Sequence, residues 1–202
     1  MSTVLAEPVL QQPRVTPQDL LERDDAVRFE LVNGRLVERN VSTESSVVAV
    51  RISRLLDVYV DANQLGVVAG SDCSFQCFYD VLLDRDRIRK PDVSFIAAGR
   101  LTEEQYRAGH TPIAPDLAVE VVSPNDNDAE LDEKIEDYLA AGVHLIWVVR
   151  PRTKTVTTYH QDGSSQRLRA TDKLSGEGVV PGFECLVADL FPTIRADAKA
   201  AL

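Results

Sequence analysis

Leu117-Ala-Val-Glu120-Val-Val122 is an almost unbroken apolar run with one carboxylate inside it. A run of this length and character reads as a strand covered on both faces rather than one that alternates between core and water. Such a strand requires layers packed above and below it. Asp116, at the start of this strand, is expected to be exposed. Inside the run, Glu120 cannot stay ionised without a partner, because an isolated buried charge is costly. Two partners satisfy it: a bound metal ion or the guanidinium of an arginine.

The flanking sequence gives this strand its neighbours. A second buried strand is expected at 144–149, after a helix at 129–141 that Gly142 stops. Val48, Ile52, Leu55, Leu56 and Tyr59 recur at helical spacing, so a long helix runs over 43–63 with its start at Ser42-Thr43-Glu44. Asn33-Gly34 between apolar alternations marks a hairpin of 28–32 with 35–39. Thr16-Pro17 opens a short helix, Thr16 as its cap and Pro17 at its first position. Further strands are expected at 66–69, 75–83 and 91–97, a short helix at 101–108, a pair at 153–159 and 166–170 around Asp162-Gly163, and a last strand at 183–187. The expected fold is α/β in the α+β sense: a central mixed sheet built from the strands near 66, 75, 92, 117 and 145, helices outside it and an N-terminal β-hairpin. One domain is expected over 16–192, between an irregular arm at 1–15 and a tail at 193–202.

Composition narrows the functional classes. At 202 residues the chain is long enough for a sizeable core. No run of 18 apolar residues is present, which argues against a membrane span. Residues 1–13 lack a basic start followed by an apolar block, so a cytoplasmic location is expected. Cys73, Cys77 and Cys185 form no even framework, and Cys73-x-x-x-Cys77 has no second pair to complete a zinc site. His110, His144 and His160 are scattered and read as surface or satisfied residues. A net charge of −10 argues against a general nucleic-acid binder. Arg85, Arg87, Arg89 and Lys90 form one basic run. It reads as a solvated loop balanced by Asp84 and Asp86, or alternatively as a grip on a phosphate backbone.

Asp92 repeats the pattern of Glu120: a lone acid beside the apolar Val93, Phe95 and Ile96. It is either a strand-end cap or ion-pair partner, or a metal ligand. Two carboxylates at adjacent strand ends repel unless a cation sits between them. Lys134 shares a helix face with Leu131 and Tyr138 and can point inward, although a surface pair with Glu130 is the rival. For Tyr138 a core role is expected, with steadying the lysine or a phosphate as the alternative. Glu30 lies between Phe29 and Leu31 and projects away from their face, either as a third acid of the site or as an exposed hairpin glutamate.

Phe29-Glu-Leu-Val-Asn-Gly34, Lys90-Pro-Asp-Val-Ser-Phe95, Asp116 to Pro124, and Lys134 through Tyr138 to Trp147, in that order, resemble the Uma family of restriction-endonuclease-like proteins, within the PD-(D/E)xK nuclease superfamily. Pro181-Gly182-Phe183 and Leu190-Phe191 extend the resemblance, which covers 17–191. It implies a restriction-endonuclease-like core and a Mg²⁺- or Mn²⁺-dependent endonuclease acting on DNA. It implies Asp92 and Glu120 as metal ligands, with Lys134 and Glu30 beside them; the backbone carbonyl of Val121 is a natural third ligand, since hard cations take mixed carboxylate, carbonyl and water shells. The superfamily lysine usually lies two residues after the second acid, where this chain has Val122, so its role falls to Lys134. Ser45 and Arg150 are departures: family members often carry histidine at the first position and an acid at the second. A homodimer is the expected assembly, since two sites cut two strands. Two rivals remain open: a non-catalytic binding module of the same fold, and a metal-dependent hydrolase of a small phosphate ester. The charge around Asp92 separates them, a basic cleft pointing to nucleic acid and an acidic closed pocket to a small substrate.

Overall fold

The computed structural model describes residues 14–78 and 84–193. Helix α1 (Pro17–Leu21) leads into a hairpin of β1 (Phe29–Val32) and β2 (Arg35–Glu38). Thr16 caps α1, its hydroxyl accepting from the Asp19 N–H. Asn33 and Gly34 lie at φ of 52° and 72°, the consecutive left-handed residues that a type I′ turn demands. Helix α2 (Thr43–Ala62), capped by Ser42, precedes β3 (Gly66–Gly70), β4 (Val93–Ala97) and the single turn α3 (Glu103–Tyr106). Then come β5 (Leu117–Val121), α4 (Asp128–Ala140), β6 (Leu145–Arg150), β7 (Thr155–His160) and β8 (Ser165–Arg169). Two short strands, β9 (Lys173–Ser175) and β10 (Glu184–Leu186), pair with one another.

Strands β3 to β8 stand side by side in chain order. Strands β5 and β6 are parallel, with α4 as their crossover, and the other neighbours are antiparallel. Strand parity then divides the core. Val93, Phe95, Leu117, Val119, Val121, Leu145, Trp147 and Val149 pack with Val48, Ile52, Leu56 and Val60 of α2. Ala118, Ile146 and Val148 pack on the opposite face with Leu131, Ile135 and Tyr138 of α4. Glu120 takes the even parity of Ala118, so it projects toward α4. Asp92 precedes Val93 and shares that side.

Several expectations need correction. The segment at 75 is not a sheet strand: Phe75 makes only isolated bridges, to Arg89 and Thr111, and residues 79–83 lie outside the described part. The strands at 155 and 165 enlarge the main sheet in its place. Asp116 is not exposed but 7 % accessible. It accepts the Ala97 N–H at 2.8 Å and pairs with Arg100 at 2.7 Å, satisfying the amide at the end of β4. Of the expected arm, Val15 is bound, its N–H donating to Gly34 O at 2.9 Å; residues 1–13 and 194–202 lie outside the described part.

Gly66 starts β3 at φ +153°, and a Cβ there would overlap the carbonyl oxygen of Ile96 in the paired strand. Gly66→Ala is expected to lower stability by about 2 kcal/mol or more, since both the backbone geometry and the β3–β4 pairing must shift. Urea unfolding of the variant beside the parent measures this.

Candidate active site

The register Val93↔Val119, continued one step, sets Asp92 beside Glu120. Both line one cleft of about 190 Å³ together with Glu30 and Lys134. Asp92 Oδ2 accepts the Val121 N–H at 2.7 Å, and its Oδ1 lies 3.0 Å from Arg39 Nη2. Glu120 Oε1 accepts the Tyr138 hydroxyl at 2.7 Å, and its Oε2 lies 3.3 Å from Lys134 Nζ. Lys134 and Tyr138 reach the same carboxylate because they are four apart on α4 and point back along its axis. Lys134 Nζ also lies 3.1 Å from Glu30 Oε1.

Glu30 is delivered by the hairpin. Leu31 and Ile88 exchange backbone hydrogen bonds of 3.1 and 2.8 Å, which docks β1 against the segment ending at Lys90. Leu20, Leu31 and Ile88 bury that seam. Glu30 Oε1 then accepts the Lys90 N–H, and Oε2 accepts from Arg89 Nη1, each at 3.0 Å. Arg89 Nε donates to Asp137 Oδ2 at 2.7 Å, and Arg87 bridges Asp137 and Asp84. The site therefore stands on a buried ion network rather than on isolated ligands.

The carboxylates differ in charge preference. Burial would raise Glu30, but Lys134 and Arg89 hold it at about 2. Burial pushes Glu120 up to about 7, with Asp92 and Glu30 adding to the rise against the pull of Lys134. Asp92 is also raised by burial, against the Val121 N–H and Arg39. Burial works against the Lys134 ammonium, yet Glu120 and Glu30 keep it charged above the ordinary lysine range. Burial and the neighbouring Asp92 both oppose charge on Glu120, a condition that a divalent cation relieves.

The structure gathers Asp92, Glu120, Lys134 and Glu30 into one place. Glu30 is 1 % accessible, which removes the reading as an exposed hairpin residue. Lys134 faces inward, not toward Glu130. Of the basic run only Arg85 is exposed: Arg87, Arg89 and Lys90 are buried, Arg87 pairs with Asp84 as expected, and Lys90 Nζ bonds the Ala26 carbonyl at 2.6 Å. Ser45 lies outside the cleft. It completes the capping box of α2 with Ser42 and accepts from Ser123 Oγ at 2.8 Å. Sequence reading missed Arg39 and Asp137; Tyr138 is a core residue, and its hydroxyl goes to Glu120 rather than to the lysine. The alternation Arg87-Ile88-Arg89 held the available signal, since it puts two arginines on one side of a buried isoleucine.

The cleft wall carries seven carboxylates (Glu30, Glu38, Asp92, Glu120, Asp126, Glu130, Glu133) against three cations (Arg39, Arg89, Lys134). Among the described residues no three His, Cys, Asp or Glu side chains gather closely enough to hold a metal. Glu30 is turned onto Lys134 and Arg89, leaving Asp92 and Glu120 as the side-chain oxygens suited to a hard cation. No helix among the described residues is long and apolar enough to cross a membrane.

A six-stranded mixed sheet with helices on both faces, an N-terminal hairpin and acids meeting at the β4–β5 end define a restriction-endonuclease-like protein. The chain belongs to the Uma2 family, whose model, described as "Putative restriction endonuclease", matches residues 17–188. The crystal structure of a "putative nuclease belonging to DUF820" from Anabaena variabilis is similar in fold, with a TM-score of 0.73 and 18 % identity over 88 % of this chain and 97 % of that one. No curated protein matches the chain.

The raised Glu120 predicts a pH effect in metal-free buffer. A carboxyl whose folded pKa exceeds its unfolded value stabilises fully below the unfolded pKa and loses that contribution as pH rises through the folded one. For Glu120 the window runs from 4.5 to about 7. Glu30, held at about 2, acts oppositely and only below about 4.5. Glu120→Gln should therefore gain on the parent between pH 5 and 8 by up to about 3 kcal/mol, at about 1.4 kcal/mol for each pH unit. Urea unfolding of both proteins at the two pH values measures the difference; a constant difference contradicts it.

Proposed function

We propose that this protein is a metal-dependent endonuclease that hydrolyses phosphodiester bonds of DNA. The convergence of Asp92, Glu120 and Lys134 in one cleft of a restriction-endonuclease-family chain carries this reading. Asp92 and Glu120, with the Val121 carbonyl, would hold Mg²⁺ or Mn²⁺, leaving most coordination positions to water and substrate. Such an ion lowers the pKa of a water and neutralises charge developing on the phosphate. Lys134, fixed between Glu30 and Glu120, orients the attacking water or donates to the phosphate. Tyr138 holds Glu120 in place, and Glu30 acts by positioning Lys134. A dimer related by a two-fold axis would offer one such cleft to each strand; light scattering at high micromolar concentration tests it, and a monomer there rejects it.

The acidic rim supports a second reading. Glu38, Asp126, Glu130 and Glu133 repel a polyanion more than a small ester, so a small phosphate ester is the alternative substrate. Plasmid and single-stranded DNA, assayed with Mg²⁺ and Mn²⁺ beside bis(p-nitrophenyl) phosphate, distinguish the two. Turnover of the small ester alone favours the second.

Lys134→Ala and Asp92→Ala should each reduce cleavage by at least about 100-fold, the scale for losing one group that stabilises transition-state charge. Lys134→Ala removes the cation between two buried carboxylates and should lose stability, yet the folded variant should still bind Mn²⁺ in calorimetry, and Lys134→Arg should also cleave poorly because a planar guanidinium does not replace a compact ammonium. Full cleavage by Lys134→Ala beside an inactive Asp92→Ala would remove the lysine from the chemistry.

A further inference from the structure

Arg39 follows β2 and reaches into the wall that separates the cleft from a neighbouring cavity; it and Asp92 line both. Its side chain is 8 % accessible. The guanidinium is held at two ends. Nη1 donates to the carbonyls of Ser71 at 3.0 Å and Val27 at 3.4 Å, and Nη2 donates to Asp92 Oδ1 at 3.0 Å.

The three cations of the cleft are not equivalent. Lys134 is shared by Glu30 and Glu120, and Arg89 by Glu30 and Asp137. Among the described residues Arg39 pairs with one carboxylate, Asp92. Asp92 already has Oδ2 occupied by the Val121 N–H, so Oδ1 is the oxygen left to a metal, and Arg39 occupies it. A divalent ion at Asp92 competes with Nη2 for the charge of the same carboxylate. The carbonyls on Nη1 would keep the guanidinium in place afterwards, so the released N–H groups stay at the cleft wall. Lys134 and Arg89 each have Glu30 as a partner, which Arg39 does not.

We propose that Arg39 is a stand-in cation, which neutralises Asp92 in the metal-free protein and, once a divalent ion takes that carboxylate, donates its freed Nη2 to a non-bridging oxygen of the substrate phosphate. The phosphate half rests on the hydrolase reading above; the exchange at Asp92 does not. It also supplies positive charge inside a cleft whose rim is acidic, at the moment the substrate needs it.

Calorimetry with Mn²⁺ alone tests the exchange. Arg39→Gln should bind Mn²⁺ about fivefold or more tightly than the parent, because a competing charge is gone. Arg39→Lys, which keeps the charge, should stay within about twofold. Equal or weaker binding by Arg39→Gln, equal tightening in both variants, or no binding by any of the three proteins overturns the proposal. Should Arg39→Gln not fold, the wild type still decides: Mg²⁺ should shift the Arg39 Nε–H signal in a nitrogen-15 spectrum, and an unmoved signal overturns the exchange. In Ca²⁺, a single-stranded 20-nucleotide DNA should bind Arg39→Gln about tenfold more weakly than the parent, for one charge-assisted hydrogen bond lost; equal affinity overturns the phosphate role. Wild-type cleavage is scored separately, so an inactive enzyme that meets the Mn²⁺ results rejects the nuclease reading and leaves the exchange standing.

Discussion

Lys134 lodged between Glu30 and Glu120 is the contact on which the cleft depends. Three acids meet at the end of one sheet, and without an internal cation they could not remain there ionised. Arg89 performs the same service one layer deeper, between Glu30 and Asp137. Removing one member of such a buried network leaves the others uncompensated, which typically costs about 3–5 kcal/mol, more than an exposed pair contributes. The network also joins pieces distant in sequence: hairpin, β5 and α4 meet through charged groups where apolar packing gives out.

Parity decides which acids can belong to the cleft. In β5, odd positions face α2 and even positions face α4, so Glu120 could reach no helix but α4. The parallel β5–β6 pair requires a crossover, and α4 is that crossover. Its second turn passes over the end of β5. Lys134 on that turn therefore reaches the Glu120 carboxylate of the strand.

Much of this was legible in the sequence. Asn33-Gly34, Thr16-Pro17 and Ser42 mark turns and caps through local chemistry and fall where expected. Glu120 and Asp92 stood out because a lone acid in an apolar strand needs a reason. The rest depended on contacts between distant segments. Arg39 lies 53 residues from Asp92, and Arg89 lies 48 from Asp137. Such residues resemble ordinary surface charges until the chain closes on itself. The burial of the basic run escaped notice for the same reason: beside the local Asp84, its countercharges Glu30 and Asp137 lie on other elements. Asp116 looked exposed because its acceptor role toward Ala97 exists only once β4 and β5 lie side by side.

The hairpin has a consequence beyond its own stability. Glu30 on β1 meets Lys134, and Arg39 just past β2 meets Asp92, so one small antiparallel unit delivers an anion and a cation to opposite sides of the cleft. Their relative placement is set by the two-residue turn at Asn33-Gly34. One residue more or less in that turn slips the register and sends alternate side chains to the other face. With β1 held to Ile88 through Leu31, β2 takes up the slip, and Glu30 and Arg39 would no longer address their partners together. The length of a surface turn is in this protein an electrostatic parameter of a cleft it does not touch.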